Sequence, residues 1–218
     1  MRILARMGTL NMLRRAALDT QFVMRRRVLG LEPPGDAPWM DDDGTARFNT
    51  ELKRASRYLE YGSGGTTVMA DRIGIPTRSV ESDPVYARAV KSRLQNENVR
   101  QIVVDFGMTR SQGYPLRPSP AKGRAYASAP FARHEPFPDL VLVDGRYRAA
   151  CALECALRAF ERDAKATMLL DDFVGRSEYG VVAEQLGAPE IAGRLAVFTI
   201  GECSIDESAL IEAYAVPR

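Results

Sequence analysis

The chain has 218 residues, 45% of them hydrophobic and 27% charged, with a formal net charge of +2. That length holds one sizeable core, and the charge balance gives no global reason to expect a nucleic acid partner. No run of 18 apolar residues occurs, so no transmembrane span is expected; the three cysteines, Cys151, Cys155 and Cys203, are too few for a disulfide framework and point to a reducing, cytoplasmic location.

Residues 2–29 have helical periodicity, with Ile3, Met7, Leu10, Leu13, Ala17, Met24 and Val28 on one stripe. Arg2, Arg6, Arg14, Arg15, Arg25, Arg26 and Arg27 lie mostly off it, against a single acid, Asp19. Such a helix packs on the domain or on the second copy of a homodimer, or associates weakly with an anionic surface. Gly30 to Gly44 reads as a linker containing Pro33-Pro34-Gly35, an acidic turn at Asp41–Asp43, and Trp39, the only tryptophan. Trp39 anchors this linker or borders a pocket. Residues 1–47 are therefore read as a basic helix and linker, and 48–218 as an α/β domain.

A short helix over 46–55 leads into a buried strand, Arg57 to Tyr61, which breaks into Gly62-Ser63-Gly64-Gly65 and continues as a helix to Ile73. Thr77 to Glu81 is a second strand. Asp83 is a suitable N-cap and Pro84 a suitable first residue for a helix running to about Gln95. Val99 to Val104 is a third strand, followed by Asp105. Residues 106–138 carry Pro115, Pro118, Pro120, Pro130, Pro136 and Pro138, and read as an irregular insert or lid. Asp139 to Asp144 is a nearly continuous apolar strand of the kind covered on both faces. A helix over Arg146 to Arg162, a strand over Ala166 to Leu170, and a helix over Ser177 to Leu186 follow. Leu195 to Ile200 and Ile211 to Val216 read as a final strand pair at an antiparallel edge. The alternation predicts a Rossmann-like, doubly wound, mostly parallel sheet with helices on both faces.

In such sheets ligands bind beyond the carboxyl ends of the strands. Five predicted strands end there in acids or glycine: Glu60 to Gly65, Glu81, Asp105, Asp144 and Asp171-Asp172. Backbone N–H groups exposed at the glycine turn suit an anionic or polar ligand. Glu81 lies 19 residues beyond Gly62, where an acid on the second strand reaches ribose hydroxyls. A dinucleotide fingerprint needs a third glycine where Thr67 stands, and no Gly-Lys-Ser/Thr follows the turn, so the dinucleotide and P-loop patterns both fail.

Glu60-x-Gly62-x-Gly64-Gly65, Glu81 and Asp105 resemble the successive cofactor motifs of class I S-adenosylmethionine-dependent methyltransferases. The resemblance spans about residues 55–216 and implies a seven-stranded sheet with the last strand antiparallel. It implies that Gly62, Ser63, Gly64 and Gly65 pass under S-adenosylmethionine, with Glu60 near its amino-acid end, Glu81 on the ribose and Asp105 near the adenine. Asp139 to Gly145 and Leu170-Asp171-Asp172-Phe173 are similar to the small-molecule O-methyltransferase branch. That likeness implies O-methylation of a small-molecule or glycan-like acceptor, with Asp144 as base. It also implies a divalent cation such as Mg²⁺ on Asp144, Asp171 and Asp172, which the same residues forgo if they form a capping turn. Arg146, Arg176 and Tyr179 flank the methyl-transfer side and bind the acceptor, or the arginines pair with those aspartates. The alternative functions are a non-catalytic methyltransferase-like binding protein and an NAD-dependent enzyme.

Overall fold

The computed structural model describes residues 32–217, so the basic helix read over 2–29 lies outside the described residues. The described chain begins with helix α1 (Asp42–Arg54), whose N-cap Asp41 accepts a hydrogen bond from the N–H of Gly44. The acidic turn is thus the start of a helix. Asp42 and Asp43 occupy its first turn, where negative charge opposes the helix dipole.

The chain then alternates strand and helix: β1 (Tyr58–Tyr61), α2 (Gly65–Ile73), β2 (Thr77–Glu81), α3 (Pro84–Lys91) and β3 (Val99–Val103). After the crossover come β4 (Leu140–Val143), α5 (Arg148–Glu161), β5 (Ala166–Leu170), α6 (Gly180–Leu186), β6 (Glu190–Ala192), β7 (Leu195–Ile200) and a last helix. Among the described residues the seven strands form one sheet in the order β3-β2-β1-β4-β5-β7-β6. The first five pair in parallel, and β7 runs antiparallel to both β5 and β6.

β1 and β4 lie at the centre and are buried at every position. On one face, Leu59, Tyr61, Val141, Val143, Met168 and Leu170 pack against α5 and its neighbours. On the other, Tyr58, Leu140, Leu142 and Leu169 meet Phe48 and Leu52 of α1. The alternation of side chains along each strand feeds both cores. The chain winds one way from β1 to β3 and the other from β4 to β5, so the topological switch point falls between β1 and β4.

Two readings from sequence are corrected. Residues 106–138 are irregular only in part. They contain α4 (Pro120–Ser128), capped by the Ser119 side chain and opened by Pro120, flanked by single 3₁₀ turns at Ser111–Gly113 and Ala129–Phe131. Ser119-Pro120 is the same start signal as Asp83-Pro84. Gly123 lets α4 approach the Tyr147 ring and the Tyr214 carbonyl, and Tyr126 is buried between Tyr61 and Phe106. Ile211 to Val216 is not a strand. Asp206 caps the last helix, α7 (Glu207–Ala213), which buries Leu210 and Ala213 at helical spacing. The edge strand is instead β6, which turns through Gly193 in the left-handed region (φ 61°) into β7.

Candidate active site

A cleft of about 630 Å³ opens at the carboxyl ends of the central strands. One half is formed by Gly62, Ser63, Glu81, Ser82, Asp83 and Tyr86. The other holds Asp144, Gly145, Arg146, Arg148, Asp171, Asp172, Arg176 and Arg194. Trp39, 84% exposed, and the segment around Arg110, Gln112 and Gly113 border the mouth.

The glycine turn is shaped by backbone clearance. Gly62 has φ 95°, and a Cβ there would lie 2.9 Å from Cα of Gly145, across the switch point. A Cβ on Gly65 would run into the carbonyl oxygen of Ala37, because residues 36–39 strap across the start of α2 and are tied down by Asp36–Arg72 at 2.5 Å. Gly65 therefore makes room for the strap, and neither it nor Gly64 lines the cleft. Glu60 is wholly buried beneath the turn. It accepts hydrogen bonds from the hydroxyls of Tyr58 (3.0 Å), Thr66 (2.7 Å) and Thr67. Burial raises its pKa, while those hydroxyl donors pull the other way. The Thr67 oxygen also accepts from the N–H of Gly64 at 2.8 Å. Thr67, at the position where a dinucleotide site needs glycine, thus ties the turn to Glu60.

Glu81 does face the cleft. One carboxylate oxygen accepts from the N–H groups of Ser82 (2.6 Å) and Asp83 (2.9 Å), and the other from the N–H of Ser63 (3.2 Å). Burial pushes its pKa up to about 7, against the opposing pull of the Ser82 and Ser63 donors. Asp105 is not brought to this group. It is exposed, accepts from the N–H of Gly107 at 2.7 Å, and lies outside the cleft lining. His134 is likewise exposed and away from the cleft.

The second half is organised by Arg148, which is 4% exposed. Its guanidinium donates to the Asp144 carboxylate at 2.7 Å and to the backbone carbonyls of Gly145 (3.1 Å) and Asp171 (2.7 Å). It stands 3.3 Å from the Asp172 carboxylate and 3.8 Å from that of Asp171. The three aspartates read as metal ligands therefore converge on a guanidinium, and no cluster of metal-ligating side chains occurs among the described residues. The donor set does not fit a divalent cation, because its centre already carries a fixed positive charge. Burial raises the Asp144 pKa to about 7; Arg148 lowers it, and Asp171 and Asp172 raise it further.

Asp172 is also paired with Arg176 (2.7 Å) and with Arg194 (2.9 Å), which enters from the β6–β7 turn. Arg146 lines the cleft, and its buried Nε has no hydrogen-bond partner. Tyr179 is completely buried behind the lining, and its hydroxyl is also without a partner. Sequence reasoning missed Arg194, Tyr86 and the backbone donors of Ser82 and Asp83. Only the Gly193-Arg194 turn carried a signal, and it was hidden by the misplaced edge strand.

The chain is similar to a methyltransferase-like protein of Silicibacter pomeroyi DSS-3, with 35% identity over 84% of this chain and 99% of that one, at a TM-score of 0.69. Weaker likenesses include a cofactor-bound protein, Rv0187, from MTB, with 18% identity over 84% of this chain and 68% of that one (TM-score 0.44). Another is the CcbJ methyltransferase of Streptomyces caelestis, with 14% identity over 84% and 87% of the two chains (TM-score 0.37). No protein-family model and no curated protein matches the chain.

Proposed function

The chain belongs to the class I S-adenosylmethionine-dependent methyltransferase family, and from that premise we propose that it binds S-adenosylmethionine in the cleft and methylates a hydroxyl of a small-molecule or glycan-like acceptor. The observation that carries this reading is Glu81. Its carboxylate is held at the end of the second strand by three backbone N–H groups, faces the cleft and stands beside the Gly62-Ser63 turn. The oxygen facing Ser82 and Asp83 also accepts from the Ser82 hydroxyl at 3.1 Å, whereas the other, among the described residues, accepts only from the Ser63 N–H and keeps acceptor capacity for a ribose hydroxyl. A cleft of about 630 Å³ falls in the size range of small-molecule sites.

When bound, the cofactor supplies a methyl group on a sulfonium, open to in-line displacement. In this reading the protein's own residues orient the two reactants and handle one proton. The backbone at Gly62 and Ser63 lets the ligand approach closely, and Glu81 fixes the ribose. Asp144 accepts the proton of the attacking hydroxyl. A carboxyl whose pKa is raised to about 7 is suited to that task near neutral pH. Arg148 holds the Asp144 carboxylate in one orientation. No step is assigned to a divalent cation.

A competing reading is a binding protein that keeps the fold without turnover. It draws on one observation, that Asp144 is already engaged by Arg148. The test is radiolabelled methyl transfer from S-adenosylmethionine across a panel of hydroxylated acceptors. Turnover of any acceptor, lost in Asp144→Asn, supports the enzyme. Tight cofactor binding with no turnover on the whole panel supports the binding protein.

A further inference from the structure

Charge on the acceptor side of the cleft is compensated almost everywhere. Arg148 engages Asp144, Asp171 and Asp172; Arg176 pairs with Asp172; Arg194 reaches both Asp172 and Asp41. Arg146 is the exception. It lines the same cleft, its Nε is sequestered from solvent, and no partner accepts from that nitrogen. Asp144 is near enough to favour its charge but forms no ion pair with it. Behind it the fully buried Tyr179 presents a second orphaned donor, its hydroxyl. The two groups interact electrostatically, and the 3₁₀ turn Ser177–Tyr179 packs against α5, which starts two residues after Arg146.

Buried donors are almost always satisfied, and an orphaned one is costly, more so when charged. Burial and the like charge of Arg148 both lower the Arg146 pKa, which is the signature of a cation lacking its counter-ion. The Tyr179 hydroxyl is closed off behind the wall, so it is the Arg146 guanidinium, which lines the open cleft, that an oxyanion in the cleft meets. A planar guanidinium suits a carboxylate or phosphate better than an ammonium does.

We infer that the Arg146 guanidinium receives a carboxylate or phosphate group of the methyl acceptor, so that the acceptor is a hydroxylated anion. This deepens the methyl-transfer reading and rests on it. Arg176, already paired and 40% exposed along its side chain, is not part of this subsite. The carboxylate of the cofactor's own amino-acid end has the same chemistry, so the experiment must separate the two sources.

The test is calorimetry on the whole chain, first with S-adenosylhomocysteine and with 5′-methylthioadenosine, which lacks the amino-acid end. Benzoate, phenyl phosphate and neutral benzyl alcohol are then titrated into the protein saturated with S-adenosylhomocysteine. The wild type should prefer the anionic probes. Arg146→Gln should lose that preference by about 10- to 100-fold, the loss of one or more charge-assisted hydrogen bonds. Arg146→Lys should recover part of it, and the surface variant Lys165→Gln should leave it intact. Affinity for S-adenosylhomocysteine should be unchanged in Arg146→Gln. Equal binding of the three probes to the wild type, or unchanged anion binding in Arg146→Gln, overturns the inference. So does a loss of S-adenosylhomocysteine binding with 5′-methylthioadenosine binding retained, which would assign Arg146 to the cofactor's carboxylate. If the wild type binds no S-adenosylhomocysteine, the methyl-transfer reading fails by itself. The same anion titrations without that ligand then decide the arginine subsite: a preference abolished in Arg146→Gln supports it, and equal binding overturns it.

Discussion

The two halves of the cleft hold their carboxylates in opposite ways. Glu81, at the end of β2, is fixed by neutral backbone donors, with no cation among its hydrogen-bond partners. Asp144, Asp171 and Asp172, beyond β4 and β5, are gathered around Arg148. The first arrangement leaves an acid that gains by accepting a ligand's hydroxyls. The second is a charge-balanced cluster that is stable without a ligand and leaves only Arg146 seeking an anion. In the proposed reading the same sheet rim offers a ribose-type site and an acceptor-type site, separated by the way negative charge is compensated.

The sharpest way to break this contrast is to remove the balancing cation. Arg148→Met leaves Asp144, Asp171 and Asp172 facing one another, and should cost about 3–5 kcal/mol of stability in chemical denaturation. A loss under 1 kcal/mol would mean that the aspartates are independently solvated. Asp144→Asn keeps the shape and removes the base. It should lower kcat about 10³-fold while S-adenosylhomocysteine affinity stays within a few-fold. An unchanged kcat would move the base elsewhere. On the other half, Glu81→Ala should weaken S-adenosylhomocysteine about 100-fold, as expected for lost hydrogen bonding to a charged acceptor, and should also lower stability, because the N–H groups of Ser63, Ser82 and Asp83 lose their acceptor.

The halves also differ in what pH does to them. Glu81 has its pKa raised to about 7, so below that value it is largely protonated in the free protein. Ribose hydroxyls favour the ionised form, so binding should take up the deprotonated state and release a proton. Affinity for S-adenosylhomocysteine should therefore rise from pH 6 to pH 8 by up to about tenfold and then level off. In Glu81→Gln the profile should be flat, and calorimetry at pH 6.5 in buffers of different ionisation enthalpy reads the proton directly. The smallest effect belongs to the start of α1. Asp41 caps α1 and also accepts from the N–H of Arg194 at 2.8 Å. Asp41→Ala should lower stability by about 1 kcal/mol and perturb the acceptor half more than the ribose half.

Much of this architecture was legible in the sequence because it rests on local signals. The apolar run Leu140 to Val143, the Asp83-Pro84 helix start and the break at Gly62 each have one dominant physical reading. The sheet's centre and the place of Glu81 followed from them. The edge did not. Ile211 to Val216 has β-like composition, but the Asp206 cap and the burial of Leu210 and Ala213 make it a helix. In 106–138 the prolines drew attention away from Ser119-Pro120, which opens α4. The roles of the acids were legible by position but not by partner. Glu60 proved to lie under the turn, Asp105 outside the cleft, and the aspartates around an arginine four residues beyond Asp144. Which long side chain reaches which carboxylate depends on tertiary packing, and spacing alone does not encode it. Gly65 likewise answers to Ala37, a contact between segments 28 residues apart in sequence.

In the proposed reading, Glu81 marks the ribose-binding half of a methyltransferase cleft. Calorimetric titration of S-adenosylhomocysteine into the wild type and Glu81→Ala, at pH 8, tests it most directly. Micromolar binding to the wild type and a loss of about 100-fold in the variant are expected. Equal affinity for both proteins would contradict it.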